Sequence, residues 1–227
     1  MNKSEPADPT YLRQIIGSLM YLVNTRPDIC YATHALSQFM CAPKKIHLHA
    51  AKYILRYLKG TIGMGIKYDK VNIELLGYCD CDWAGSSIER KSTSGYCFCL
   101  GSGMVSWSSR KQTSFALSST EAEYIASSLG AREAVWLRKL LSDLFKGHLK
   151  PTVIYCDNQS CIKLSVNPVL HDKSKYIEIP YHYVRNMVER NVIQLEYFNT
   201  SDHKTNILTK PLSRVKVEHL QNKLGMV

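Results

Sequence analysis

A chain of 227 residues with 45% hydrophobic content is long enough for one well-buried core plus a smaller appendage, or for two small domains. Lysine and arginine outnumber the acids 29 to 19, and the net charge of +10 favours a polyanionic partner such as nucleic acid over an ordinary basic surface. No stretch approaches the roughly 20 apolar residues of a membrane span, and MNKSEPADPT lacks a signal-peptide core, so an intracellular chain with eight reduced cysteines is expected.

After the polar head, Ile15, Ile16, Leu19, Met20, Leu22 and Val23 recur at helical spacing. Arg26-Pro27-Asp28 marks a break, and Ile29, Tyr31, Ala32, Ala35, Leu36 and Phe39 carry a second helix. Ala42-Pro43-Lys44-Lys45 reads as a loop. In a third helix Ala51, Ile54, Leu55 and Leu58 share one side, Lys52, Arg56 and Lys59 lie elsewhere, and Gly60 is the stop. Residues 10–60 thus form a small helical unit whose basic face meets either solvent or a nucleic-acid backbone.

From about residue 64 the period becomes strand-like. GIKYD, ELLGYCDCDWAG, SGYCFCLGS and MVSWSSRKQ read as antiparallel strands joined by short connections. A long helix follows, capped by Ser118, Ser119 or Thr120, with Glu121 and Glu123 in its first turn. Ile125, Leu129, Trp136, Leu137, Leu140 and Leu144 supply its apolar side. PTVIYCDNQ is a buried strand leading into the short helix NQSCIKLSV, which Asn167-Pro168 stops. EIPYHYVRNMVERN then reads as a helix, VIQLEYFN as a strand, and HKTNILTKPL and VKVEHLQNKL as helical pieces. Three antiparallel strands followed by parallel additions across helices describe an α/β mixed sheet covered by helices.

Three acids stand out within this pattern. Asp80 lies inside an apolar strand, Asp157 ends another, and Glu123 opens the long helix. An acid in a buried strand is costly unless paired or metal-bound, and clustered carboxylates are what a hard divalent cation requires for phosphodiester cleavage. Singly, Asp157 also reads as a helix cap and Asp80 as an ion-pair partner. Asp82 shares a strand face with Asp80 and can assist. The pairs Cys79/Cys81 and Cys97/Cys99 invite a zinc reading, but C-x-C inside apolar strands fits small buried residues better, and no zinc is expected.

The strings GSLMYLVNTRPDICYA, HAAKYILRYLKGT, GYCDCDWAGSSIERKSTSGYCFCLG, VSWSSRKQ, ALSSTEAEYIA, EAVWLRKLL and IYCDNQSCIKL, in this order, resemble the carboxy-terminal part of a copia-type retrotransposon Pol polyprotein. That part is the reverse transcriptase thumb and connecting helices followed by ribonuclease H; the palm's catalytic aspartate pair is not in this sequence. The resemblance implies a ribonuclease H-like mixed five-stranded sheet flanked by helices, preceded by a small helical unit. The implied division is 1–63, 64–212 and a helical tail at 213–227. It implies Asp80, Glu123 and Asp157 as catalytic metal ligands for Mg²⁺, with Mn²⁺ as a substitute, and cleavage of the RNA strand of an RNA/DNA hybrid.

Where the family usually has a fourth aspartate, before Ile-Phe-Thr-Lys-Pro-Leu, this chain reads TNILTKPL and carries Asn206. Further departures are Leu48 for tryptophan and Tyr176, Glu178 and Pro180 for His, Asp and Arg. A neutral ligand weakens cation binding. Asp202 is a possible substitute if its loop shifts, and His203 reads as a surface-loop histidine rather than a proton carrier. Lys91, Arg110 and Lys111 are candidate phosphate contacts, with little base readout. Two functions stay open: a metal-dependent endoribonuclease weakened by Asn206, or an inactive remnant that binds nucleic acid or serves a structural role. The implied partners are the hybrid or another nucleic acid and the remainder of a Pol polyprotein, without a membrane, in the cytoplasm (virus-like particle) or the nucleus.

Overall fold

The structure, a computed structural model, describes residues 5–69, 74–85, 90–146, 150–166 and 183–227. Helix α1 (Pro9–Leu22) starts where Asp8 accepts the Thr10 N–H at 2.8 Å and Pro9 takes a position that needs no donor. Pro27 then opens a single 3₁₀ turn that leads into α2 (Cys30–Ser37), and α3 (Lys45–Gly60) completes the helical unit. Its core is Leu12, Ile15, Ile16, Leu19, Ile29, Leu36, Ala51 and Ile54. Met20, Leu22 and Leu55, assigned to the apolar sides from their spacing, are exposed instead.

The turn between α1 and α2 is locked by a buried ion pair. Arg26 Nη2 meets Asp28 Oδ2 at 2.7 Å and Nη1 donates to the Thr61 carbonyl at 2.9 Å. Asp28 also accepts from the Tyr57 hydroxyl of α3 and, at 3.1 Å, from Gln221 near the chain's end. A single carboxylate therefore ties together three segments far apart in sequence.

Strands β1 (Leu75–Asp82), β2 (Thr93–Leu100) and β3 (Gly103–Lys111) form an antiparallel meander. Helix α4 (Ser119–Phe145) crosses to β4 (Thr152–Cys156), which lies parallel to β1; α5 (Gln159–Val166) and α6 (Tyr183–Glu189) then lead to β5 (Ile193–Tyr197), parallel to β4. The order β3-β2-β1-β4-β5 is the mixed five-stranded α/β sheet expected. GIKYD is not a strand of it: Ile66 forms one isolated bridge with Met226, because its partner is only the short segment after the last helix. The chain ends with α7 (Asn206–Thr209) and α8 (Arg214–Lys223). Asn167, Pro168, Tyr176, Glu178 and Pro180 lie outside the described residues.

Helices cover both faces. On one, Ala131, Ala134, Leu137 and Leu141 of α4 pack on Cys79, Phe98 and Ile154. On the other, Tyr78, Cys97, Cys99 and Met104 meet Ile207, Leu208, Leu220 and Leu224, together with Val23 and Cys30 of the helical unit. The C-x-C pairs are thus packed into hydrophobic clusters on opposite faces, and no described helix is long and apolar enough to cross a membrane.

The seam of α4 differs from its apolar pattern. Trp136, Leu140 and Leu144 are exposed, whereas Ile125 and Leu137 are buried as expected, together with Leu141 and the small residues Ala122, Ala126, Gly130, Ala131 and Ala134. Small residues let the helix approach the sheet closely, and a Cβ on Gly130 would stand 2.3 Å from Cys79 Sγ. Gly130→Ala is therefore expected to destabilise the fold by about 1–3 kcal/mol through overpacking, despite alanine's better helix propensity. Urea unfolding measures this, and an unchanged or higher midpoint would contradict it.

Candidate active site

Parallel pairing of β1 with β4 runs from Leu76↔Val153 to Cys79↔Cys156. The next residues on the two strands are Asp80 and Asp157. Adjacent strands about 4.8 Å apart thus present two aspartates at their carboxyl ends, where open α/β sheets form ligand crevices. Beyond the last pair, the Cys81 N–H donates to Glu123 Oε1 at 3.0 Å.

Glu123 reaches this point because of how α4 begins. The Ser118 hydroxyl accepts the Glu121 N–H at 3.1 Å, and Glu121 Oε2 accepts the Leu117 N–H at 2.7 Å, a reciprocal cap that sets the helix start. Glu121 occupies the first turn, whereas Glu123 falls just beyond it, on the side that faces the sheet, rather than within that turn as expected. Its carboxylate is 5% exposed, and Oε2 has no hydrogen-bond partner among the described residues. Burial, reinforced by Asp80, Cys156 and Asp157, pushes its pKa well above the ordinary carboxylate range. Ligand atoms of Glu123, Cys156 and Asp157 lie within 4.8 Å of one another.

Asp80 is 1% exposed and has protein partners of its own. Thr209 Oγ1 donates to its Oδ2, and Lys210 Nζ lies 3.5 Å from the same oxygen. The ion-pair reading of Asp80 therefore describes its geometry, and the cap reading of Asp157 does not. Asn158 Oδ1, accepting the Cys161 N–H at 2.9 Å, caps α5 instead. Asp82 is half-buried; burial raises its pKa while Lys210 opposes the rise.

Asn206 opens α7 and is fully buried. Its Nδ2 donates to the Thr200 carbonyl at 2.7 Å, and its Oδ1 has no partner among the described residues. Asp202 is turned toward α8, 2.7 Å from Lys223 Nζ and 3.2 Å from His219 Nε2. That pairing holds its carboxylate away from the substitute role considered for it. His203 is completely buried, contrary to the surface-loop reading. The 3₁₀ turn Thr200–Asp202 folds this loop inward, and the ring packs edge-on against Tyr78 and Phe198, with Nε2 3.3 Å from the Tyr155 carbonyl. Burial lowers its pKa, favouring neutral imidazole.

The basic candidates surround the same end of the sheet at greater distance. The register row Asp82↔Thr93↔Lys111 puts Lys111 two strands from Asp82, about 10 Å by strand spacing. Lys111 Nζ donates to Gln38 Oε1 at 2.9 Å, Arg110 is exposed, and the Lys91 ammonium sits over the Phe115 ring at 5.3 Å. Sequence reasoning missed Thr209 and Lys210 as partners of Asp80. Both stand in the TNILTKPL string, three and four residues after Asn206.

Comparison with known proteins gives this geometry its context. The chain is 46% identical over 220 residues to the Retrovirus-related Pol polyprotein from transposon RE1 of Arabidopsis thaliana, covering 96% of this chain. It is 42% identical over 212 residues to that from transposon TNT 1-94 of Nicotiana tabacum, covering 93%. The chain belongs to the copia-type Pol family. It spans only 15% of the RE1 polyprotein and 16% of the TNT 1-94 polyprotein. No protein-family model matches it. Among solved structures, the N-terminal ribonuclease H domain of rv2228c from Mycobacterium tuberculosis aligns with a TM-score of 0.39 at 12% identity, covering 66% of this chain and 98% of that chain.

The surroundings of Asn206 bear on its replacement. From sequence, Asn206→Asp is nearly isosteric with little packing cost. In the structure the change removes the donor to Thr200 and sets a carboxylate against that carbonyl in a buried site. We expect Asn206→Asp to lower stability in a chelating buffer by about 1–3 kcal/mol, the cost of leaving a buried acceptor unmet. Added Mg²⁺ should recover part of that loss in the variant more than in the wild type. Thermal melts with and without Mg²⁺ test this, and a variant as stable as wild type in chelator would contradict it.

Proposed function

We propose that this Pol-family chain is a ribonuclease H unit that cleaves the RNA strand of RNA/DNA hybrids with a divalent cation, Mg²⁺ or Mn²⁺, at a rate lowered by Asn206. The observation that carries the reading is that Glu123 and Asp157 bring ligand atoms within 4.8 Å of each other beside the strand on which Asp80 follows the last β1–β4 pair, with Glu123 Oε2 buried and partnerless among the described residues. A buried carboxyl oxygen without a partner is an unmet polar group, and a cation that takes the place of the proton would satisfy it. Carboxylate oxygens fit a hard cation, for which the soft sulfur of the neighbouring Cys156 is a poor ligand. Asp80, Glu123 and Asp157 would hold the ion, and Asn206 contributes no charge to it.

When bound, such a cation supplies Lewis acidity to the phosphodiester and makes water a better nucleophile. The chain's own groups do the remaining work. The Cys81 N–H holds Glu123 Oε1 and leaves Oε2 as the free oxygen, while the Thr209 hydroxyl orients Asp80. Buried His203 keeps the Asn206 loop against the end of β4. Arg110, Lys111 and Lys91 meet the phosphate backbone, which gives binding without sequence readout.

A second reading, a nucleic-acid-binding or structural remnant, is favoured by Asn206 alone. Cleavage of a labelled hybrid in Mg²⁺ and Mn²⁺ separates the two. Weak cleavage is expected, accelerated by Asn206→Asp and lost when Asp80→Asn or Asp157→Asn is added, since these groups act on one ion. Cleavage that survives Asp80→Asn and Asp157→Asn would refute the proposal. No cleavage in wild type or Asn206→Asp would favour the remnant. Hybrid affinity should also fall steeply with salt, and Arg110→Ala should flatten the salt slope by about one unit; an unchanged slope would remove Arg110 from the backbone contacts.

A further inference from the structure

Lys210 sits between the acidic site and a cleft. Its ammonium is 3.5 Å from Asp80 Oδ2, and its side chain is 28% exposed while that of Asp80 is 2% exposed. Thr209, the preceding residue, already donates to that oxygen, so backbone and hydroxyl together hold the lysine near the carboxylate. On its other side Lys210 lines a largely apolar cleft of about 380 Å³ with Tyr31, Tyr53, Pro211 and Leu212, and Asp28 also borders it. One further cation adjoins that region: Arg56 lies over the Tyr53 ring at 5.7 Å. A lysine stem is long and flexible, so its ammonium can move between an inner carboxylate and an outer anion without displacing the backbone.

A divalent cation bound through Asp80 meets the ammonium's positive charge on the oxygen it needs, and this repulsion acts in a largely buried setting where screening is weak. A phosphate at the cleft mouth offers the ammonium an alternative anion. We propose that Lys210 is a tethered counter-ion that guards Asp80 against the cation until a nucleic-acid phosphate draws it outward, coupling substrate binding to cation binding. This rests on the metal-dependent reading above. By linkage, the coupling is reciprocal: the hybrid tightens cation binding by the factor by which the cation tightens hybrid binding.

The test is Mn²⁺ binding by the full chain, read from the electron paramagnetic resonance of free Mn²⁺, so it does not depend on turnover. Without nucleic acid, Lys210→Met should bind Mn²⁺ about two- to fivefold more tightly than wild type, the range expected for removing one partly exposed charge pair. Lys210→Arg, which keeps the charge, should stay close to wild type. Adding a hybrid whose RNA strand is 2′-O-methylated, with binding to the hybrid alone subtracted, should tighten Mn²⁺ binding in wild type and less so in Lys210→Met. Equal or weaker Mn²⁺ affinity in Lys210→Met would overturn the proposal while leaving the metal site standing, provided Asp80→Asn weakens binding. If Asp80→Asn leaves Mn²⁺ binding unchanged, the metal-site reading falls and this inference falls with it.

Discussion

The site depends on where one parallel ladder stops. β1 and β4 pair through Cys79↔Cys156, and the aspartates are the next residue on each strand. Asp80 still lies within the β1–β2 ladder, opposite Gly95, but has no partner on the β4 side. Several residues later, each would be in solvent with its reach undefined. Past the β1–β4 pairing both are held by their strands, and Asp80 is buried where Thr209 and Lys210 can reach it.

The rest of the fold serves that edge. α4 approaches closely because its seam is alanine and glycine, and its cap determines that Glu123 faces the strand ends. α7 is drawn onto β1 and β2 from the opposite face. A Cβ on Gly95, the ladder partner of Asp80, would stand 2.6 Å from Thr209 Cγ2, so the missing side chain makes room for the residue that bonds Asp80. The helical unit and α8 close this second face, joined through Asp28 to Arg26, Tyr57 and Gln221. Breaking that carboxylate's pairing would leave a buried guanidinium, which is costly in a low-dielectric interior. The helical unit is thereby part of the support beneath the acidic site.

Much of this was legible from local pattern. The switch from helical to strand period, the Arg26-Pro27-Asp28 break and the strands around Asp80 and Asp157 all follow from chemistry within a few residues. What misled was solvent exposure. Trp136, Leu140 and Leu144 are apolar but sit on the outside of α4, because a helix against a flat sheet buries only a narrow stripe and close approach selects small residues for it. His203 looked like a loop residue and is buried, because a 3₁₀ turn folds its loop onto an aromatic cluster assembled from three separate segments.

By itself, the sequence determined the element order, the α/β class, the family and the unusual asparagine at position 206, since these reside in local periodicity and in contiguous strings. Only the tertiary structure decided what the polar groups do. Asn206 is bound to the Thr200 carbonyl, Asp202 is committed to Lys223 and His219, and Asp80 carries Thr209 and Lys210 from 129 residues or more further along the chain. Hydrogen bonds and ion pairs act over about 3–4 Å in space, and separation along the chain does not reveal which groups folding will bring that close.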